Sequence, residues 1–178
     1  MKPSLLADPE VLLSAEDIAA RIERMAADIE PLVESDTVAV CLLTGGLWFA
    51  ADLTRALARR GKHLPFDALW LTSYGEHRVS SGRCEVRAGL QRPVEGRKVL
   101  LIDDVFDSGL SLSEGGRIVM EHGAREVFYA VFASKPWPEP RALKPHFVGW
   151  EAPARFLVGY GMDAAGDWRG LPYIGALD

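Results

Sequence analysis

Only two cysteines, Cys41 and Cys84, occur in the 178 residues of this chain. That scarcity excludes a disulfide framework and a cysteine-built metal site, so both read as free thiols in a reducing compartment. Long apolar runs are missing as well, and none reaches the length needed to cross a bilayer. The first residues, "MKPSLLADPEVLLS", interrupt their apolar stretch with Asp8, Pro9 and Glu10 instead of building the core of a secretory leader. The cytoplasm is therefore the expected location, with no membrane partner. An excess of basic residues is the third absence. Twenty Lys and Arg against 25 Asp and Glu give a net charge of -5, which leaves no cationic face for a nucleic-acid backbone. A local pocket for a small anion is still compatible with that balance. The chain also lacks internal repeats, low-complexity tracts and an interdomain linker, because the proline-rich "KPWPEPRALKP" at 135–145 is too short to separate domains.

What is present is a core. Hydrophobic residues make up 48% of the chain, enough for one globular domain of this length. Ile18, Ile22, Met25, Ile29 and Val33 recur at helical spacing after Ser14, and Ser14 with Asp17 makes a capping-box start. "TVAVCLL" at 37–43 is apolar without alternation and suits a strand buried on both faces, ended by Thr44, Gly45 and Gly46. A helix is expected from Leu47 to Arg60, with Leu47, Leu53 and Leu57 on its apolar face and Gly61 as its stop. "FDALWLTS" at 66–73 is a second strand, and the polar, glycine-containing 74–83 reads as a mobile loop. "CEVRAGL" at 84–90 alternates as an edge or antiparallel strand would, forming an arm with the strand before it. Further strands are expected at 98–102 and 126–134, with a helix between them starting near Leu110 or Ser111, and two short apolar runs, "HFVGW" and "RFLVGY", follow. Strands alternating with helices imply an α/β protein with a mostly parallel sheet flanked by helices.

The most informative stretch is "VLLIDDVFDSGLSLSEGG" at 99–116, an aliphatic strand run against two adjacent carboxylates, Asp103 and Asp104. In open α/β sheets ligands bind beyond the carboxyl ends of the strands, which is where these acids fall. Adjacent acids can equally cap a turn or a helix. The residues that follow, Asp107, Ser108, Gly109, Leu110 and Ser111, add hydroxyls, a glycine allowing close backbone approach, and a helix start, a combination that favours a phosphate. Ser111 taken alone also reads as a plain N-cap. Two acids beside a phosphate cradle suit a sugar phosphate, with the carboxylates accepting hydrogen bonds from vicinal hydroxyls.

On these residues, and on "LLTGGLWFAADLTRAL", "LTSYG", "SSG", the lone Lys135, "FVGWEAPARFLVGYGMD" and "WRGLPYIG" in that order, the chain resembles the hypoxanthine (hypoxanthine-guanine) phosphoribosyltransferase family from about Ser14 onward. The resemblance implies a type I phosphoribosyltransferase fold in a single domain over 1–178, with a flexible catalytic loop at about 74–83 and a small hood formed by about 1–13 and 136–178. It implies a purine-salvage reaction: 5-phosphoribosyl passes from phosphoribosyl pyrophosphate (PRPP) to hypoxanthine or guanine, giving IMP or GMP and pyrophosphate, with Mg²⁺ and a homodimeric or homotetrameric assembly. By position, Asp107 matches the catalytic acid or base, and Ser73 and Tyr74 begin the loop that closes over the reacting centre. Asp103 and Asp104 match the contacts to the ribose hydroxyls and to Mg²⁺, and Asp163 the second Mg²⁺ contact. Ser108, Gly109, Leu110 and Ser111 match the 5-phosphate cradle. Lys135 matches the reader of the six-position oxygen, Phe156 the ring that stacks on the base, Leu157 a backbone contact to the two-position substituent, and Arg169 a pyrophosphate contact.

The turn that binds pyrophosphate in the family often reads Leu-Lys-Gly, whereas here it is Leu43-Thr44-Gly45. Backbone groups survive that change and the lysine charge does not. The family pattern also suggests a cis peptide between Leu43 and Thr44. Trp150 and Trp168 stand where smaller aromatics are common. A non-catalytic nucleotide- or RNA-binding regulator on the same scaffold is the rival reading, disfavoured by the retained Asp107, Lys135 and Asp163 and by the acidic balance. A magnesium-binding signalling domain would account for Asp103 and Asp104 but not for the 107–111 cradle.

Overall fold

Local sequence rules are visible at the first helix of the structure, a computed structural model that describes residues 8–73 and 84–177. Strand β1 (Glu10–Leu13) leads into helix α1 (Ala15–Ile29), where the Asp17 N–H donates to Ser14 Oγ and the Ser14 N–H donates back to the Asp17 carboxylate. That reciprocal pair satisfies two of the amides every helix start leaves without a partner. Ile18, Ile22, Met25 and Ile29 form the buried stripe of α1, and Val33 is buried just beyond its end.

The chain then alternates: β2 (Val38–Leu43), α2 (Leu47–Arg59), β3 (Phe66–Ser73), β4 (Cys84–Ala88), β5 (Lys98–Phe106), α3 (Leu110–Glu121), β6 (Glu126–Ser134), β7 (Phe147–Glu151), β8 (Phe156–Val158) and β9 (Ile174–Leu177). Six strands form the main sheet in the order β4-β3-β2-β5-β6-β7, parallel throughout except for the antiparallel edge strand β4. Side-chain alternation splits the core. Ala39, Cys41, Leu100, Ile102 and Phe132 pack with α1 and α2 on one face, while Val38, Val40, Leu42, Leu101 and Val131 pack with Leu112, Ile118 and Val119 of α3 on the other. Burying a side chain of this kind is worth roughly 1.5–3 kcal/mol, and the edge contact of Phe49 with Phe132 at 5.4 Å joins α2 to the sheet.

Two expectations change in detail. Leu47 does not belong to the apolar face of α2; it is 39% exposed, and Phe49, Ala50, Leu53, Ala56 and Leu57 do the packing. Strand β5 also runs four residues past Ile102, so Asp103 and Asp104 lie inside a strand and not beyond one. The cause is its two unequal neighbours. Pairing with β2 stops at Cys41 opposite Ile102, while pairing with β6 continues to Phe106 opposite Ser134. The sheet opens on one side of β5 where the acids begin.

A second, antiparallel sheet of order β1-β9-β8 sits apart from the main one. It joins 10–13 to the end of the chain, with Arg155 and Glu10 paired at 2.6 Å. The segment 136–178 is divided between the two sheets, because β7 extends the main sheet beside β6. Residues 1–7, Tyr74, the rest of the 74–83 loop and Asp178 lie outside the described residues. No helix among the described residues is long and apolar enough to cross a membrane.

Candidate active site

The strand order sets the position of the cleft. From β2 the chain moves outward to β3 through α2, then returns to the other side of β2 to build β5, α3 and β6. The connections therefore diverge between β2 and β5, and a crevice forms at their carboxyl ends. A cleft of about 270 Å³ occupies it, lined by Leu43, Gly45, Asp103, Asp104, the whole of 105–112, Asp163 and Arg169.

Asp103 and Asp104 are both buried, and the Asp104 N–H donates to Asp103 Oδ1 at 3.0 Å. Removal from water pushes both carboxyl groups above the usual 3.8, and for Asp103 the neighbouring Asp104 charge pushes further. Arg169 acts the other way on Asp104. Such a pair gains from a cation or from hydroxyl donors in the cleft. Its own burial, and then the same two acids, push the Cys41 thiol up to about 12. Gly45 fits against them because it has no side chain: a Cβ there would stand 2.0 Å from Asp104 Oδ2. The Leu43–Thr44 peptide before it is cis. Thr44 itself is exposed and does not line the cleft.

Beyond the acids the chain passes through Asp107 and Ser108 to Gly109, whose φ of 82° is a left-handed conformation that suits glycine. Gly109 begins α3 without a side-chain cap, so Ser111 follows it inside the helix and is not the N-cap. The Leu110 N–H donates to Ser108 Oγ at 3.4 Å. First-turn amides of this helix, which have no intrahelical acceptors, border the cleft with the positive end of the helix dipole. A helix start of this kind can take an anion.

A second cleft of about 200 Å³ adjoins the first and shares Asp104, Val105, Asp107 and Asp163 with it. Lys135, Phe156, Leu157 and Met162 complete its walls. Lys135 follows β6, and its Nζ lies 3.2 Å from Asp107 Oδ2. Phe156, at the start of β8, is 55% exposed although large and apolar, whereas Leu157 is buried. Across the first cleft Arg169 donates to Asp163 Oδ1 at 2.5 Å and to the Gly161 carbonyl. The Gly166 N–H also donates to Asp163.

The structure thus brings together Leu43, Gly45, Asp103, Asp104, Asp107, Ser108, Gly109, Leu110, Ser111, Lys135, Phe156, Leu157, Asp163 and Arg169. Ser73 ends β3 in register with Cys84, and Tyr74 lies outside the described residues. Among the described residues, no group of three or more His, Cys, Asp or Glu converges on one point. The available donors, Asp103, Asp104 and Asp163, are all carboxylates. They fit a hard cation such as Mg²⁺, which takes one or two protein carboxylates and fills its remaining positions with water and substrate oxygens. Sequence reasoning missed Met162 and Val105, which are ordinary apolar residues in the sequence. It also missed Arg141, whose guanidinium donates to the carbonyls of Phe106, Asp107 and Lys135.

Known proteins resemble this chain along most of its length. The phosphoribosyl transferase domain family matches residues 8–165. A hypoxanthine-guanine phosphoribosyltransferase of Bacillus subtilis is 36% identical over 169 residues, covering 94% of this chain and 92% of that protein. One of Aquifex aeolicus is 35% identical over 167 residues, covering 93% and 92%. Among solved structures, a hypoxanthine phosphoribosyltransferase from Staphylococcus aureus superimposes with a TM-score of 0.86 at 28% identity, covering 95% of this chain and 91% of that one.

Proposed function

Because this chain belongs to the phosphoribosyl transferase domain family, we propose that its two joined clefts carry out purine salvage as a hypoxanthine-guanine phosphoribosyltransferase, moving 5-phosphoribosyl from PRPP to a 6-oxopurine. The observation that carries this reading is the shared wall: Asp104, Asp107 and Asp163 border both the anion-cradling cleft and the cleft of Lys135 and Phe156. A sugar phosphate in the first and a planar base in the second would meet there. The named activity of the Bacillus and Aquifex relatives supports it.

In this reading the 107–111 loop and the start of α3 take the 5-phosphate through backbone N–H groups. Asp103 and Asp104 accept hydrogen bonds from the ribose hydroxyls and would hold Mg²⁺, and Asp163, which does not converge with them on one point, would be a second, separate Mg²⁺ contact. When bound, that ion offsets the charge of the pyrophosphate. Gly45 offers backbone groups to the pyrophosphate, as does the Thr44 peptide, and the guanidinium of Arg169 faces the same cleft. Phe156 covers the face of the base, and the Leu157 backbone meets its two-position.

Lys135 and Asp107 account for the choice of base and for the proton. In a 6-oxopurine the ring nitrogen N7 and the O6 oxygen are neighbours on one edge. An ammonium donates to O6 and has nothing to accept from the amine of adenine. Asp107, at hydrogen-bond distance from Lys135, faces N7 when Lys135 faces O6. As N9 forms its bond to C1 of the ribose, the C1–O bond breaks and its electron pair leaves with pyrophosphate. The N7 proton passes to the Asp107 carboxylate, whose charge also opposes the positive charge developing at C1. The chain acts as one phosphoribosyltransferase unit, and the low cysteine content and acidic charge fit a cytoplasmic enzyme without nucleic-acid partners.

The test is product formation by the purified protein with PRPP and Mg²⁺, offered hypoxanthine, guanine, xanthine and adenine separately. IMP or GMP should form and AMP should not. Absence of product with all four bases, from protein that still binds PRPP, would contradict the reading.

A further inference from the structure

Arg141 sits in the proline-rich connection after β6, six residues beyond Lys135, yet its guanidinium turns back into the fold. Its Nη1 donates to the carbonyls of Phe106 at 3.3 Å, Asp107 at 3.1 Å and Lys135 at 3.1 Å. Its Cζ lies 4.1 Å from the centroid of the Phe106 ring, a stacking distance for a guanidinium over an aromatic face. The Phe106 ring is itself pressed against the phosphate loop: a Cβ on Gly109 would stand 2.7 Å from Phe106 Cε2. The Lys135 N–H donates to the Phe106 carbonyl at 3.0 Å, so the ends of β5 and β6 meet under the same guanidinium.

We propose that Arg141 is a positioning residue for purine recognition, a single cation that holds the main chain of Asp107 and of Lys135 at a fixed separation. The proposal rests on the transferase reading above, because it assigns Arg141 to the step in which those two side chains read neighbouring atoms of one base. The physical argument is one of geometry. Asp107 and Lys135 belong to different strand ends, 28 residues apart in sequence, and their own ion pair dissolves whenever a base separates them. Something other than that pair must then keep the two backbones in place. Three main-chain carbonyls converging on one guanidinium do so without touching the base. Charge-assisted hydrogen bonds are the stronger kind, and the guanidinium over the Phe106 ring fixes the direction in which its Nη1 is presented to the three carbonyls. Lysine could supply a charged donor at 141 but not the stack on Phe106.

Displacement of a recognition group by about 1 Å costs on the order of 100-fold in rate. Arg141→Met is therefore expected to raise KM for hypoxanthine and to lower kcat/KM by about 10- to 100-fold. The dissociation constant for PRPP, measured by calorimetry on the same preparations, should rise by a clearly smaller factor than KM for hypoxanthine, because Phe106 and Asp107 border the PRPP cleft while Lys135 borders only the base cleft. Arg141→Lys, which keeps the charge and is the milder change for folding, should show the same KM pattern at roughly a third of the size or more. A merely structural role would instead lower the PRPP affinity and the hypoxanthine affinity together. The proposal is overturned if active wild-type enzyme and folded variants share one KM for hypoxanthine within about twofold, or if PRPP affinity falls in step; the transferase reading then stands. Lack of turnover in the wild-type protein strikes the transferase reading itself, and this proposal with it.

Discussion

Lys135 Nζ stands 3.2 Å from Asp107 Oδ2, so the two groups assigned to one edge of the base are paired with each other. The pair is partly exposed, with side chains 19% and 43% accessible, so a base can enter between them without first opening a sealed core. Replacement of one partner by a neutral group frees the other and removes one contact from the base.

Lys135→Gln is expected to raise KM for hypoxanthine and guanine by about 10- to 100-fold, the size of one lost hydrogen bond to a charged donor. KM for PRPP should change little, since Lys135 does not line the larger cleft. Steady-state kinetics with each substrate varied in turn separates the two, and an equal rise in both constants would count against the assignment of Lys135 to the base.

Asp103 gives a prediction with a sign in pH. Burial and the adjacent Asp104 charge hold its carboxyl above the usual 3.8 in the folded chain. The folded state therefore binds this proton more tightly than the unfolded state does, and the contribution of Asp103 to stability falls as pH rises from the ordinary carboxylate value through the raised one. Asp103→Asn removes that loss and keeps an oxygen for the Asp104 N–H. The ligand-free variant should be more stable than wild type at pH 8 by about 1 kcal/mol, or roughly 2–4 °C in Tm. The advantage should shrink toward pH 4, while PRPP affinity drops at least about tenfold. Thermal melts at the two pH values, with and without PRPP, check each part.

Gly45 tests the packing of the crevice. A Cβ would meet Asp104 Oδ2 at 2.0 Å and Cγ at 2.6 Å, so Gly45→Ala must rotate the carboxylate or move the turn. A stability loss of about 1–3 kcal/mol is expected, as for other overpacked sites, together with weaker PRPP binding. A denaturant titration and a calorimetric binding isotherm measure the two effects; wild-type PRPP affinity in the folded variant would show that Asp104 need not sit where it does.

The thiols follow the same electrostatics. Cys41 is fully buried and pushed up to about 12, first by burial and then by Asp103 and Asp104. It should react with a disulfide reagent only after unfolding. Native protein should therefore titrate at most the half-buried Cys84, whose thiol burial also pushes up, and denatured protein should titrate both.

Much of this architecture could be read before the structure because local rules and tertiary packing agree. Ser14 with Asp17 predicts the start of α1, and the uninterrupted apolar run of 37–43 predicts a strand buried on both faces. "FDALWLTS" becomes β3 over the same residues. Where the reading fell short, the deciding contact lay far away in sequence. Strand β5 extends to Phe106 only because β6 keeps pairing with it after β2 has stopped. Leu47 fits a helical stripe by spacing but starts α2 on the exposed side. Arg141 carries no signal of its own in the sequence, since its acceptors are main-chain carbonyls that exist as a group only after β5 and β6 pair. Lys135 and Phe156, ordinary by composition, stood out only through the family pattern, and both line the second cleft.

The measurement that tests the central claim most directly is turnover of Asp107→Asn with PRPP, Mg²⁺ and hypoxanthine, run beside the wild type with PRPP affinity measured on both. With Asp107 as the group that takes the purine proton, kcat should fall by about 100- to 10,000-fold, while PRPP binds within a few-fold of wild type. Wild-type turnover in the variant, or a loss explained wholly by failure to bind PRPP, would contradict the account.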